Sequence, residues 1–166
     1  ITHYTRLMGK AFDLWRRFME PFKPLRDKVA FWLFQMPPSF KATNKSIERL
    51  TRFFREANLG FKAAIEFRDE SWWDRADVCK DLELTFCSID APDLPRTIIV
   101  TGDSVYLRLH GRDVWYNYIY SEEELEEILQ AVRAVDAERN YIYLNNDHGM
   151  LPNGRYLMLK TGVLKA

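Results

Sequence analysis

Glycine is scarce in this chain, with seven residues in 166, and none are clustered. That excludes the glycine-rich dinucleotide loop and the P-loop, both of which need bare backbone against a phosphate. No Gly-x-Ser-x-Gly elbow for an acyl-transfer nucleophile is present either. Cysteine is rarer still. Cys79 and Cys87 are too few for a disulfide framework and are not spaced as a close metal pair, so they read as buried thiols of a reducing compartment. Net charge is absent, with 24 basic residues against 24 acidic. A broad electrostatic footprint for duplex DNA or anionic lipid is therefore not expected. Long apolar runs are missing too. The longest, Val29 to Met36, is far short of a membrane span, and no signal peptide is visible. The expectation is a cytoplasmic protein with no membrane contact. Repeats, low-complexity tracts and domain linkers are also lacking, which implies a single domain over residues 1–166.

Apolar and aromatic residues are plentiful, at 47% and 14%, enough for a packed core. Lys10 to Asp27 has near-helical apolar spacing that Pro21 and Pro24 interrupt or end. Val29 to Met36 reads as a buried strand closed by Pro37-Pro38, whose loop a cis bond can shape. Thr43 caps a helix carrying Ile47, Leu50, Phe53, Phe54 and Ala57, with Gly60 just past its end. Ala63 to Phe67 is the next strand. Ser71-Trp72-Trp73-Asp74 has the spacing of a capping box and opens a short helix to about Leu82. Leu84 to Ile89 is a strand, Thr97 to Val100 a short β-like piece, and Val105 to His110 a strand. Ser121 to Glu138 is a helix opening on the capping box Ser121-Glu122-Glu123-Glu124. Tyr141 to Asn145 is a strand and Gly154 to Leu164 a last helix. Alternation of strands and helices predicts an α/β fold with a parallel sheet.

Within these strands, side chains alternate faces. Ile65 and Phe67 share one face while Glu66 and Arg68 share the other; Val105, Leu107 and Leu109 oppose Tyr106, Arg108 and His110. In a fold whose sheet is covered on both sides, charged groups are tolerable where strands end and loops open a cleft. The inner-face residues nearest those ends are Gln35, then Glu66 and Arg68, Asp90 just past Ile89, Arg108 and His110, and Asn145 and Asp147. Such recurrence favours the mouth of a barrel over an open doubly wound sheet.

The same residues resemble a known family. Leu33-Phe34-Gln35-Met36-Pro37-Pro38, Ile65-Glu66-Phe67-Arg68-Asp69-Glu70-Ser71-Trp72, Val105-Tyr106-Leu107-Arg108-Leu109-His110-Gly111 and Asn145-Asn146-Asp147 look like the motifs of the YecE-like family, a domain of unknown function. Thr2-His3-Tyr4 matches a further motif, and the five occur in the expected order along essentially the whole chain. The resemblance implies a parallel-stranded TIM-type barrel, here incomplete. About five strands alternating with helices would correspond to the fourth to eighth of that fold, and the family's first strands have no counterpart. A full barrel needs about 250 residues. Exposed sheet edges would then favour self-association or a missing N-terminal segment.

Each candidate has a plain reading beside a functional one. Arg68 and Arg108 either pair with Glu66 and Asp90 or grip an anionic ligand through their guanidinium forks. His110, next to Gly111, is either a satisfied core histidine or a general acid or base. Glu66 and Asp90 are a structural salt-bridge pair or a catalytic carboxylate pair. A metal held with Asp147 and His110 is disfavoured, because arginines beside the carboxylates repel a cation; no metal or cofactor is expected. Trp72 or Trp73 can stack on a planar ligand. His3, Tyr4, Gln35, Asn145, Asn146 and Asp147 are placed to orient a substrate. Tyr116, Tyr118 and Tyr120 form either a lid or the packed start of the following helix. Two functions follow: an enzyme, a hydrolase or transferase acting on a small anionic substrate, such as a phosphorylated one, at the C-terminal mouth of the barrel, or a module that binds a nucleotide or single-stranded nucleic acid without catalysis.

Overall fold

The structure, a computed structural model, describes residues 1–164. Its strands run in the order β1-β2-β3-β4-β5: β1 is Trp32–Gln35, β2 Ala63–Glu66, β3 Thr85–Asp90, β4 Ser104–Leu109 and β5 Arg139–Leu144. The pairings β1–β2, β2–β3 and β4–β5 are all parallel, and helices separate most successive strands. The fold is the expected α/β class, five strands in an unclosed sheet. The chain divides within β3 into two compact units, Ile1–Cys87 and Ser88–Ala166.

In the first unit, α1 (Thr2–Thr5) and α2 (Ala11–Met19) precede a 3₁₀ stretch, Glu20–Lys28, that contains both prolines. Pro21 falls at the start of that stretch, where its missing N–H costs nothing, and Pro24 lies inside it. α3 (Asn44–Ala57) starts where Thr43 accepts the Ser46 N–H. Its stop is Asn58, not Gly60: Asn58 takes the left-handed conformation at φ 46° and donates its N–H to the Phe54 carbonyl. Leu50, Phe53 and Phe54 of α3 are buried with Trp15, Trp32 and Phe34, largely edge to face, as between Phe34 and Phe54 at 4.9 Å. The strand at Val29 to Met36 is shorter than expected and buries only alternate residues, Leu33 being 39% exposed. Neither Pro37 nor Pro38 has a cis bond. Ser71 does not cap its helix. Asp69 accepts the Ser71 N–H and starts a 3₁₀ turn, Glu70–Arg75, before α4 (Ala76–Asp81), while the Ser71 hydroxyl accepts the Ala42 N–H.

In the second unit the β-like piece Thr97 to Val100 is no strand. Ser88 Oγ accepts the Ile99 N–H at 2.9 Å, and Ile98 and Val100 pack as loop residues on the unit's apolar cluster. α5 (Glu122–Ala134) opens on the Ser121 capping box and ends early at Val135, which is extended. α6 (Met150–Lys160) begins four residues before Gly154, following a 3₁₀ turn at Asp147–Gly149. Val105, Leu107 and Leu109 of β4 lie in one cluster with Leu125, Ile128, Leu129 and Val132 of α5 and Leu157 of α6. One face of β4 is thus committed to the helices, and the other carries Tyr106, Arg108 and, just beyond, His110. Both cysteines are free and buried, and burial drives the Cys79 thiol pKa upward, with the Asp77 charge adding to it. Among the described residues no helix is long and apolar enough to cross a membrane.

Candidate functional site

Parallel register sets Gln35 of β1 beside Glu66 of β2. Glu66 is fully buried, a position that disfavours a carboxylate unless donors surround it. Its Oε1 accepts from Gln35 Nε2 at 2.9 Å and from Arg68 Nε at 2.5 Å, while Cys87 Sγ lies 3.8 Å from Oε2. His3 Nε2 stands 2.8 Å from Gln35 Oε1. An amide oxygen only accepts, so His3 donates from Nε2. Thr2 Oγ1 donates to the Gln35 carbonyl at 2.5 Å. The result is a polar relay from an exposed imidazole through an amide to a buried carboxylate and a guanidinium whose side chain is 8% exposed. Tyr4 has no part in it: it is 96% exposed.

At the ends of β4 and β5 in the second unit, register pairs Arg108 with Tyr143 and Leu109 with Leu144. His110 and Asn145 come next. Asn145 Nδ2 lies 3.3 Å from His110 Nδ1. The amide nitrogen only donates, so Nδ1 accepts and the neutral ring carries its proton on Nε2. His110 is fully buried, with the rings of Trp115 and Tyr116 each 5.4 Å away. Arg108 is half-buried on the same strand face. Tyr106 and Tyr143 stack there at 4.8 Å, and Tyr143 is 41% exposed.

Asp90 is not on that face. Ala64 is in register with Thr85 and Ile65 with Phe86, so Thr85 and Cys87 share the face of Glu66, and Asp90, three residues past Cys87, falls opposite. It sits on the helix side with Leu107 and Ile128 around one cavity. There Arg112 Nε reaches its Oδ2 at 3.1 Å, Tyr120 Oη its Oδ1 at 3.1 Å, and Arg96 Nε lies 4.0 Å away. Arg112 also meets Glu124 at 3.4 Å and Glu127 at 2.8 Å. Burial works against the Arg112 charge but is outweighed by Glu127, Asp90 and Glu124, so its pKa is raised. The Tyr120 phenol is pushed up by burial and by the Asp90 charge. Tyr118, bonded to Glu124 at 2.6 Å, is pushed up to about 12 by burial and then by that hydrogen bond and charge.

Two further expectations are corrected, for Trp72 and Asn146, and the two readings of the tyrosine loop are told apart. Trp72 is a core residue with no surface for a ligand, its ring parallel to Phe67 at 4.0 Å and Phe40 at 5.7 Å and its Nε1 donating to the Phe40 carbonyl. Asn146 is fully buried and structural, its Nδ2 donating to the Tyr118 carbonyl and Asn153 Oδ1. Tyr118 and Tyr120 are tied down rather than forming a lid, and Asn153 brackets Tyr120 by accepting its N–H and donating to its carbonyl. Asp147 is exposed in a left-handed turn at φ 46°. Among the described residues no three His, Cys, Asp or Glu side chains are grouped to hold a metal ion. Arg112, Tyr120 and Asn153 were not singled out as a connected group. Their partners lie 22 to 33 positions away in the sequence, which no local pattern displays.

The family model described as "Protein of unknown function DUF72" matches residues 1–159. A solved DUF72 family protein from Thermotoga maritima is 27% identical, with a TM-score of 0.76 over 89% of this chain and 64% of its own. A DUF72 family protein from Enterococcus faecalis is 22% identical, with a TM-score of 0.81 over 94% of this chain and 67% of its own. The chain thus spans about two thirds of the length of these relatives. No curated protein matches it.

Proposed function

We propose, from the premise that the chain belongs to the DUF72 family of proteins of unknown function, that it is an enzyme, a hydrolase or transferase acting on a small anionic substrate. The observation that carries this reading is the Asn145 amide on Nδ1 of a fully buried His110. That bond sets the tautomer of the ring, and Arg108 stands two residues earlier on the same strand face. With its proton held on Nε2, neutral His110 donates a hydrogen bond to a substrate oxygen on which charge develops, while the Asn145 donor disfavours a proton on Nδ1. Arg108, on the same face of β4, neutralises the substrate's phosphate or carboxylate. Asn145 selects the tautomer of the imidazole. In the first unit Glu66 holds Arg68 and Gln35 in place. The reading includes a cytoplasmic setting, supported by two buried free thiols.

The test is turnover on a panel of phosphoesters and carboxylate esters. His110→Ala is expected to lower kcat by about a hundredfold or more, and Arg108→Ala to raise KM for the anionic substrates while sparing neutral analogues. Turnover that persists in His110→Ala removes the histidine from the chemistry.

A further inference from the structure

The main chain at His110 is held by an arrangement that the chemistry just proposed does not use. His110 N–H donates to the Asp90 carbonyl at 2.8 Å. The next amide, Gly111 N–H, donates to Tyr120 Oη at 2.8 Å, and that hydroxyl donates in turn to Asp90 Oδ1 at 3.1 Å. Arg112, the residue after that, closes on Asp90 Oδ2. Three consecutive residues therefore converge on one aspartate and one tyrosine. On the far side Tyr116 N–H returns to the His110 carbonyl at 2.7 Å. Gly111 takes φ +106°, and a Cβ there would come within 2.6 Å of both Tyr118 Cβ and the Val114 carbonyl oxygen. The turn is thus defined by its neighbours on every side, and Tyr120 is itself fixed by Asn153.

We infer that Asp90 and Tyr120 form a positioning pair that sets the backbone path through His110 and Gly111, and with it the direction of the imidazole. The inference rests on His110 being the working group of the site. It assigns a task to a carboxylate that sits on the opposite sheet face and cannot touch a substrate bound beside Arg108. Two consecutive amides have a single donor orientation each, so anchoring both fixes the peptide plane between them. Asn145 then needs only to select the tautomer of a ring already aimed. A merely structural Asp90 would tie β3 to α5 through Arg112 and leave the imidazole indifferent to the Tyr120 hydroxyl.

Proton–nitrogen NMR of the histidine rings, with amide exchange at Gly111, separates the two. Tyr120→Phe removes one hydroxyl and keeps the ring. It is expected to move the His110 ring resonances and to speed Gly111 exchange by about tenfold or more. Tyr156→Phe, which deletes a comparable bond to Glu126, is expected to leave both unchanged. Asp90→Asn keeps shape and the main-chain carbonyl but weakens the acceptor for Tyr120; it is expected to shift the same ring signals, and it decides the matter if Tyr120→Phe does not fold. The inference is overturned if the folded variants leave the His110 ring where it was, or if Tyr156→Phe displaces it equally. No substrate is needed for this readout. A displaced ring together with failed turnover tests would keep the positioning pair and discard the enzymatic reading.

Discussion

Tyr118 and Tyr120 each place a phenol beside a carboxylate, Glu124 for one and Asp90 for the other. Burial and those charges make the neutral phenol the favoured form, and Tyr118 is held up to about 12 against an ordinary 10.0. In the unfolded chain both phenols ionise first, so alkali favours unfolding. For Tyr118 the stabilisation is complete below pH about 10 and is lost as pH rises from about 10 to about 12, and for Tyr120 it persists to higher pH. Denaturant midpoints at a series of alkaline pH values, read beside tyrosinate absorbance, are expected to fall across that window, and Tyr118→Phe to remove one late-ionising phenol. A Tyr118 that titrates at the ordinary value would contradict its bond to Glu124. At this scale the sequence was legible where strand parity could be counted from a well-placed strand. Glu66, Arg68, Arg108 and His110 lie on the faces assigned to them. Asp90 does not, because β3 is buried at every residue and only its pairing with β2 shows which parity faces which side. Trp72 departs from the stacking expectation for a different reason: its partners Phe40 and Phe67 flank it from two other segments, and nothing in the local pattern distinguishes a stacked core ring from a ring awaiting a ligand.

Helix starts were legible because capping is local. At α5 the Ser121 hydroxyl accepts the Glu124 N–H at 3.2 Å while Glu124 Oε2 accepts the Ser121 N–H at 2.8 Å, and three acids occupy the first turn. Glu124 Oε1 meanwhile meets Tyr118 and Arg112, so the cap of the helix and the end of the tyrosine loop share one side chain. Ser121→Ala is expected to cost about 1 kcal/mol, measured as a lowered urea midpoint with an unchanged slope. An unchanged midpoint would show the box to be redundant. Where a distant group competes, the local signal fails. Ser71 has the spacing of a cap, yet its hydroxyl accepts the Ala42 amide, and Asp69 starts the turn instead. Thr97 to Val100 has the composition of a strand, but Ile99 gives its N–H to a serine hydroxyl rather than to a neighbouring strand.

Burial is graded along the sheet order. β2 and β3 are buried at every residue, whereas no residue of β5 is fully buried and β1 alternates. β1 and β5 are the end strands, and the end of a parallel sheet is a template for further pairing. Beside β5, a cavity of about 500 Å³ is lined by Ile142 and Leu144 of that strand, Leu129 and Val132 of α5, and Leu157 and Met158 of α6. An apolar recess flanking this strand favours coverage by a further segment; beside an N-terminal segment of the family fold, we propose as occupant a second copy of this chain, which presents the same strand and helices in return. We therefore expect association that grows with protein concentration, seen as a rising mass in sedimentation equilibrium. Met158 is 39% exposed at the recess, so Met158→Lys introduces a charge there without opening the core and is expected to shift the equilibrium toward monomer. A single-chain mass at every concentration would remove the second copy as the partner of β5, and an unchanged equilibrium in Met158→Lys would move the contact away from this recess.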